Sequence, residues 1–197
     1  MPRALHWFKW ESMMTWLSGF FLLAVVYWHG APLLQFGSDV SRAQGVAISA
    51  ASLVGGYAGY RLIWKVMGQN ELPGLLVCFA AVMGLAWGLT HVLSDRAVYL
   101  HVGAVFGTIM VSNVWMTIIP NQKKIMAITE AGGQPDHSLA AAAKRCSKHN
   151  TFMSVPLLFT MISNHYPITF ASQHALAILA VLILLGFVAA KIIRDNL

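Results

Sequence analysis

Residues 149–190 read HNTFMSVPLLFTMISNHYPITFASQHALAILAVLILLGFVAA and contain no Asp, Glu, Lys or Arg. At about 1.5 Å per residue this run is too long for one helix crossing a bilayer of about 30 Å. It carries its own break, Asn164-His165-Tyr166-Pro167. A proline pushes the residue before it out of the helical region. The run therefore divides into two helices, near 149–165 and 173–193. Working outward, four more charge-free runs appear, at 12–38, 43–60, 72–94 and 97–122. Each suits one helix of about 20 mostly apolar residues. The expected helices lie near 11–30, 44–66, 73–94, 97–119, 149–165 and 173–193. The expected fold is all-α, one domain over 1–197, an integral membrane bundle of about six transmembrane helices.

Composition agrees with that reading. Charged residues make up 10% of the 197-residue chain and apolar ones 57%, with a mean hydropathy of +0.64. A soluble domain carries about 25% charged residues, so disorder is excluded and a soluble globule disfavoured. The net charge of +6 would suit nucleic acid in a polar chain. Here the cations sit between apolar runs, which favours lipid headgroups. Six helices place both ends on one side. That side receives Arg3, Lys9, Arg61, Lys65, Lys123, Lys124, Lys144, Arg145, Lys148, Lys191 and Arg194, against Arg42 and Arg96 on the other. Under the positive-inside rule the richer side, with both termini, is cytoplasmic. The start does not read as a signal peptide. Trp7, Trp10 and Glu11 precede its apolar run, and no small-residue cleavage site follows. The tryptophans suit an interfacial belt.

Small residues recur every four positions: Ala51, Gly55 and Gly59, then Gly84 and Gly88, then Gly103 and Gly107. Such stripes let helices approach closely. Packing within one bundle, dimerisation, and room for a flat cofactor are the three readings. Cys78 and Cys146 fall at different depths, one beside a reducing compartment, so a disulfide is not expected. No CxxCH is present for covalent haem attachment.

Buried acids are nearly absent: Glu11 stands at the mouth of the first helix and Asp95 at a loop. That disfavours a proton pump or ion-coupled transporter. Histidine is the enriched polar type, with eight copies. His6 and His149 fall toward the cytoplasmic side, and His29, His91, His101 and His165 toward the other. Imidazole is a common axial ligand of b-type haem. His6, His101, His149 and His165 are therefore candidate haem b ligands, although a histidine near a helix end more often makes an ordinary hydrogen bond. His101, Thr108 and Ser112 share one face at about 100° per residue, away from Gly103 and Gly107. His149, Pro156 and Thr160 share a face of the next helix.

A second constellation runs Pro120-Asn121-Gln122-Lys123-Lys124 and Lys144-Arg145-Cys146-Ser147-Lys148-His149-Asn150. Between them, Asp136 or Ser138 can cap a helix starting at Leu139. One reading is an anchor on lipid phosphates. The sharper one is a pocket for a small planar anion, with Arg145 or Lys148 for charge and Asn121, Gln122 and Asn150 for hydrogen bonds.

The segments LHWFKWE (5–11), TWLSGF (15–20), AVYLHVGAVFGTIM (97–110), IIPNQKK (118–124), KHN (148–150) and MISNHYP (161–167) resemble the membrane domain of the membrane-bound urate oxidases of bacteria. The resemblance implies an inner-membrane protein associated with oxidation of urate to 5-hydroxyisourate, with electrons delivered to a cytochrome c. Matching positions are His6, Trp10 and Glu11, then His101 and Asn113, then Asn121 and Gln122, His149 and Asn150, and Asn164 and His165. His29 and His91 lie outside the motifs. Longer members carry an additional first helix and a terminal cytochrome c domain, so the resemblance implies either a partner that supplies them or another job for this shorter chain. The leading expectation is a urate oxidase-like enzyme with His149 and Glu11 catalytic. Asn121, Gln122, Arg145, Lys148 and Asn150 would hold a urate-like anion, and His101, His165 or His6 a haem. The alternative is a non-catalytic, haem b-binding subunit of a larger respiratory or oxidase complex. A transporter is disfavoured, since no internal repeat is visible.

Overall fold

The computed structural model describes residues 3–195, and these are helical apart from short connections. Helix α1 spans Arg3–Leu23 and runs on as a π-helical segment, Ala24–Gly30. Helix α2 is Arg42–Met67 and α3 is Glu71–Thr90. Helix α4, Asp95–Asn113, passes through a second π-helical segment, Val114–Ile118, into α5, Ile119–Glu130. Then come α6, His137–Ser163, the short α7, Pro167–Phe170, and α8, Ala175–Asp195.

Five of these stretches are long and apolar enough to cross a membrane: Leu5–Gly30, Arg42–Met67, Glu71–Thr90, Asp95–Glu130 and Ala175–Arg194. Helix α6 has the length, at 27 residues, but its first half carries Lys144, Arg145, Lys148 and His149. The chain is thus all-helical with several long apolar helices, as expected. Two boundaries differ. Lys123 and Lys124 were expected in a loop but are helical, because α4 runs on through the π-helical segment into α5 and Pro120 follows just after that segment. The short helix expected after Asp136 and the span expected from 149 are one helix. Its start is set by Asp136, whose carboxylate accepts from the Ser138 N–H at 2.9 Å and from the Ser138 hydroxyl. These two donors hold the Asp136 carboxyl below the usual carboxylate range.

Helix α2 starts with a capping box: Ser41 accepts from the Gln44 N–H, and the Gln44 side chain accepts from the Ser41 N–H. At the opposite end from the cation-rich loops, the 31–41 and 91–94 connections are tied by Gln35 N–H to Val92 O and Ser94 N–H to Leu33 O. The break at Pro167 stands where it was expected, with α6 ending at Ser163 and α8 beginning at Ala175.

Helix α4 is the axis of the bundle. Its Ala97, Val98, Tyr99, His101, Val102, Val105, Phe106 and Ile109 are all buried. It packs mainly against α6 and α2, and α6 in turn packs against α8. The small-residue stripes divide on inspection. A Cβ on Gly103 would meet Thr160 of α6 at 2.4 Å, and one on Gly107 would meet Leu157 at 3.5 Å. This stripe is a packing face. Gly55, Gly59, Gly84 and Gly88 have nothing within 4 Å of an added Cβ, so those stripes pack against no helix among the described residues. A second close approach, here to backbone as well as side chain, lies elsewhere: a Cβ on Gly186 of α8 would lie 2.7 Å from Pro156 Cγ and 2.9 Å from its backbone N.

Candidate functional site

The buried polar groups lie on two levels. On the first, His101 is fully buried on α4. Its Nδ1 lies 2.6 Å from Ala97 O and its Nε2 2.5 Å from Ser49 Oγ of α2. Ser49 also accepts from Trp28 Nε1 at 2.9 Å. This is a structural knot joining α1, α2 and α4. Thr108, from the same expected stripe, accepts instead from Trp16 of α1 at 3.0 Å. The stripe thus serves two different neighbours.

The second level is a chain of side chains across α2, α4 and α6. Asn150 Nδ2 donates to Met110 O at 3.1 Å, which orients the Asn150 amide and leaves its Oδ1 as an acceptor. Asn113 Nδ2 must therefore donate to Asn150 Oδ1, at 2.9 Å, and its second hydrogen goes to Tyr60 Oη at 3.1 Å. The Tyr60 oxygen lies 2.8 Å from His149 Nδ1, and we assign its O–H as the donor there. The neutral imidazole then carries its proton on Nε2. Trp64 stacks on the ring, centroids 4.1 Å apart and planes 29° apart. Gly74 makes room for that indole, since a Cβ there would meet Trp64 Cη2 at 2.6 Å. Asn113 Oδ1 is buried with no partner among the described residues.

The cationic end has its own groove, bounded by α5, α6 and α8. It is lined by Gln122, Lys144, Ser147, Lys148, Thr151 and Arg194, with a volume of about 380 Å³. Lys144, Ser147, Lys148 and Thr151 repeat at three- and four-residue spacing, one face of α6. Lys148 is also paired with Glu71 at the start of α3.

Of the expected anion ligands, the structure brings Gln122 and Lys148 together. It places the others elsewhere. Asn121 donates to Leu139 O at 3.2 Å and ties α5 to α6. Arg145 reaches Gly68 O at 3.5 Å, and Asn150 belongs to the buried chain. His149, next in sequence to Lys148, faces the other side of α6. Glu11 is exposed on α1, as is His6, whose ring lies 6.4 Å from Trp10. His165 is exposed beyond the end of α6. Its neighbour Asn164 gathers Tyr27 Oη at 3.3 Å and Arg96 Nε at 3.2 Å.

As placed, these histidines do not fit a haem held between His101 and a second imidazole. Both His101 nitrogens are engaged, and His6 and His165 lie at the surface. Among the described residues no three His, Cys, Asp or Glu side chains gather as a metal site. Cys78 and Cys146 are free thiols, half-buried and buried.

Sequence reading missed Ser49, Tyr60 and Trp64. The signal was available: Ser49 and Tyr60 are 11 residues apart on α2 and fall within about 20° of one face, and Trp64 follows Tyr60 by one turn.

Several long apolar helices, an internal chain of amide, phenol and imidazole, and a cationic groove at one end outline a membrane protein with a polar interior site. A family model described as urate oxidase N-terminal matches residues 1–195, and the chain belongs to that family. No curated protein and no solved structure matches the chain.

Proposed function

We propose that this protein is the membrane part of a urate oxidase-type redox system. It binds urate, or a related purine anion, in the groove of α5, α6 and α8. The observation that carries the reading is the convergence there of Lys144, Lys148 and Arg194 with the neutral donors Gln122, Ser147 and Thr151. A planar anion rimmed with carbonyl oxygens needs both kinds of group, and charge-assisted hydrogen bonds are the stronger ones. Family membership supports the substrate class.

Conversion of urate and water to 5-hydroxyisourate releases two electrons and two protons. No side chain here stores electrons, so an acceptor is required. The family resemblance favours a cytochrome c-type partner. His149 and Glu11 lie outside the groove, so this reading assigns them no contact with the anion. The bundle would sit in the bacterial inner membrane with six spans, α6 included, and both termini cytoplasmic. The gathering of Arg145, Lys148 and Glu71 around one end of the bundle agrees with the charge asymmetry that motivates this topology.

Equilibrium binding of urate to detergent-purified protein tests the substrate. Lys148→Gln and Arg194→Gln should each weaken binding by about 5- to 50-fold, the effect of losing one charged hydrogen bond at a partly exposed site. Equal affinity in wild type and both variants would place the anion elsewhere. Membranes containing the protein and a cytochrome c should consume urate, and failure to do so would refute the acceptor.

A further inference from the structure

On the opposite face of α6 from the anion groove lies a cavity of about 170 Å³ bounded by α2, α3, α4, α6 and α8. Gly55 and Gly59 of α2 and Ala81 of α3 border it, and an added Cβ at either glycine would meet nothing within 4 Å, so the α2 side is open there. Deeper in, the walls are Phe79, Val82 and Met153. One polar group stands out at the wall. His149 is 5% exposed, and its Nε2 makes no hydrogen bond among the described residues. With Tyr60 assigned as donor to Nδ1, the imidazole proton sits on that nitrogen. The cavity is thus a largely apolar slot with His149 Nε2 at its wall and no hydrogen-bond partner for that nitrogen among the described residues. Its open side lies between two helices that are each long and apolar enough to cross a membrane.

We propose that this cavity binds the head of a lipid-soluble quinone, with a ring carbonyl accepting from His149 Nε2–H and the tail leaving between α2 and α3. The size agrees: apolar cavities of about 150 Å³ hold benzene, so one six-membered ring fits. The shape agrees as well, because glycines at 55 and 59 leave a flat wall. The lining holds no Lys or Arg, so an anion in the slot would be desolvated against apolar walls without a direct ion pair. A quinone is neutral, planar and apolar apart from its carbonyls. Trp64 stacks on one face of His149 and helps fix the imidazole plane. The site stands independently of the anion groove and adds a membrane-diffusible redox carrier to the partners of the protein.

Detergent-purified full-length protein titrated with decyl-benzoquinone and with decylbenzene tests this. The quinone should bind about 3- to 10-fold tighter than decylbenzene, the worth of one buried hydrogen bond. His149→Phe should erase that ratio while leaving decylbenzene affinity within about two-fold. Gly59→Leu grows a side chain into empty space and should weaken both ligands at least ten-fold. Equal affinities for the two ligands would show a slot for acyl chains and overturn the quinone assignment. So would undiminished quinone binding in Gly59→Leu, or no binding of either ligand. The ligand ratio needs no variant, so it stands even if His149→Phe does not fold. Urate binding at the groove is read separately, and neither result bears on the other.

Discussion

Tyr60→Phe removes a single oxygen from the centre of the buried chain and leaves the ring packing in place. That oxygen donates to His149 Nδ1 at 2.8 Å and accepts from Asn113 Nδ2 at 3.1 Å. Hydrogen bonds inside membrane proteins average about 0.6 kcal/mol, which puts a floor near 1 kcal/mol under the pair. Asn113 keeps its bond to Asn150, but His149 Nδ1 becomes a buried acceptor without a donor, at about 1–3 kcal/mol. The sum is about 2–4 kcal/mol. For a chain of this length each kcal/mol moves Tm by about 2–4 °C, so a fall of roughly 4–16 °C is expected. The assay is thermal unfolding in detergent, followed by circular dichroism. Tyr57→Phe is the internal control. Its hydroxyl donates only to Met116 Sδ, a weak acceptor, so the expected fall is small, below about 1 kcal/mol. If Tyr60→Phe lowers Tm no more than Tyr57→Phe, the chain from Asn150 to His149 does not hold the helices together, and the proton placement on His149 falls with it.

Gly186→Ala forces a methyl against the Pro156 ring and backbone and should cost about 1–3 kcal/mol, read as a lower Tm, whereas Gly84→Ala, with open space around it, should be neutral or slightly stabilising. Ser41→Ala removes one half of the α2 capping box, at about 1 kcal/mol by the same melting assay. Glu71→Gln should cost under about 1 kcal/mol, since the pair with Lys148 is partly exposed, and should tighten urate binding a few-fold by releasing Lys148. The Asp136 cap is strongest while the carboxyl is ionised. Its contribution is present above the carboxyl's unfolded pKa and lost as pH falls through the lowered folded value. The protection of the Ser138 amide, its exchange rate relative to the intrinsic rate at the same pH, should therefore fall in acid, and Asp136→Asn should abolish that pH dependence.

The helices were legible because the signals are local and strong. Charge-free runs, Pro167 and the Asp136 cap each act through their own backbone. The extents of α5 and α6 were not, because nothing local distinguishes a polar loop from the polar end of a long helix; packing of α5 on α6, through Asn121 and Leu139, decides it. Within the candidate site, residue types were readable and pairings were not. Lys148 and His149 looked like one cluster in sequence, yet consecutive helical residues diverge by about 100° and serve different sides of α6. The glycine stripes shared one spacing, but only that of α4 meets a neighbouring helix. Ser49 and Tyr60 acquire meaning only when α4 and α6 supply His101 and His149, contacts of high sequence separation that no periodicity encodes.

The π-helical turn at Val114–Ile118 has a consequence for anyone mapping this protein by substitution. A π turn holds about one residue more than an α turn, so it rotates everything after it by roughly 100° relative to the residues before. A scan along Asp95–Glu130 should therefore show sensitive positions at helical spacing on either side of the turn, but out of phase with each other. Removing one residue inside it would turn Asn121 and Gln122 away from α6 while leaving His101 and Asn113 where they are.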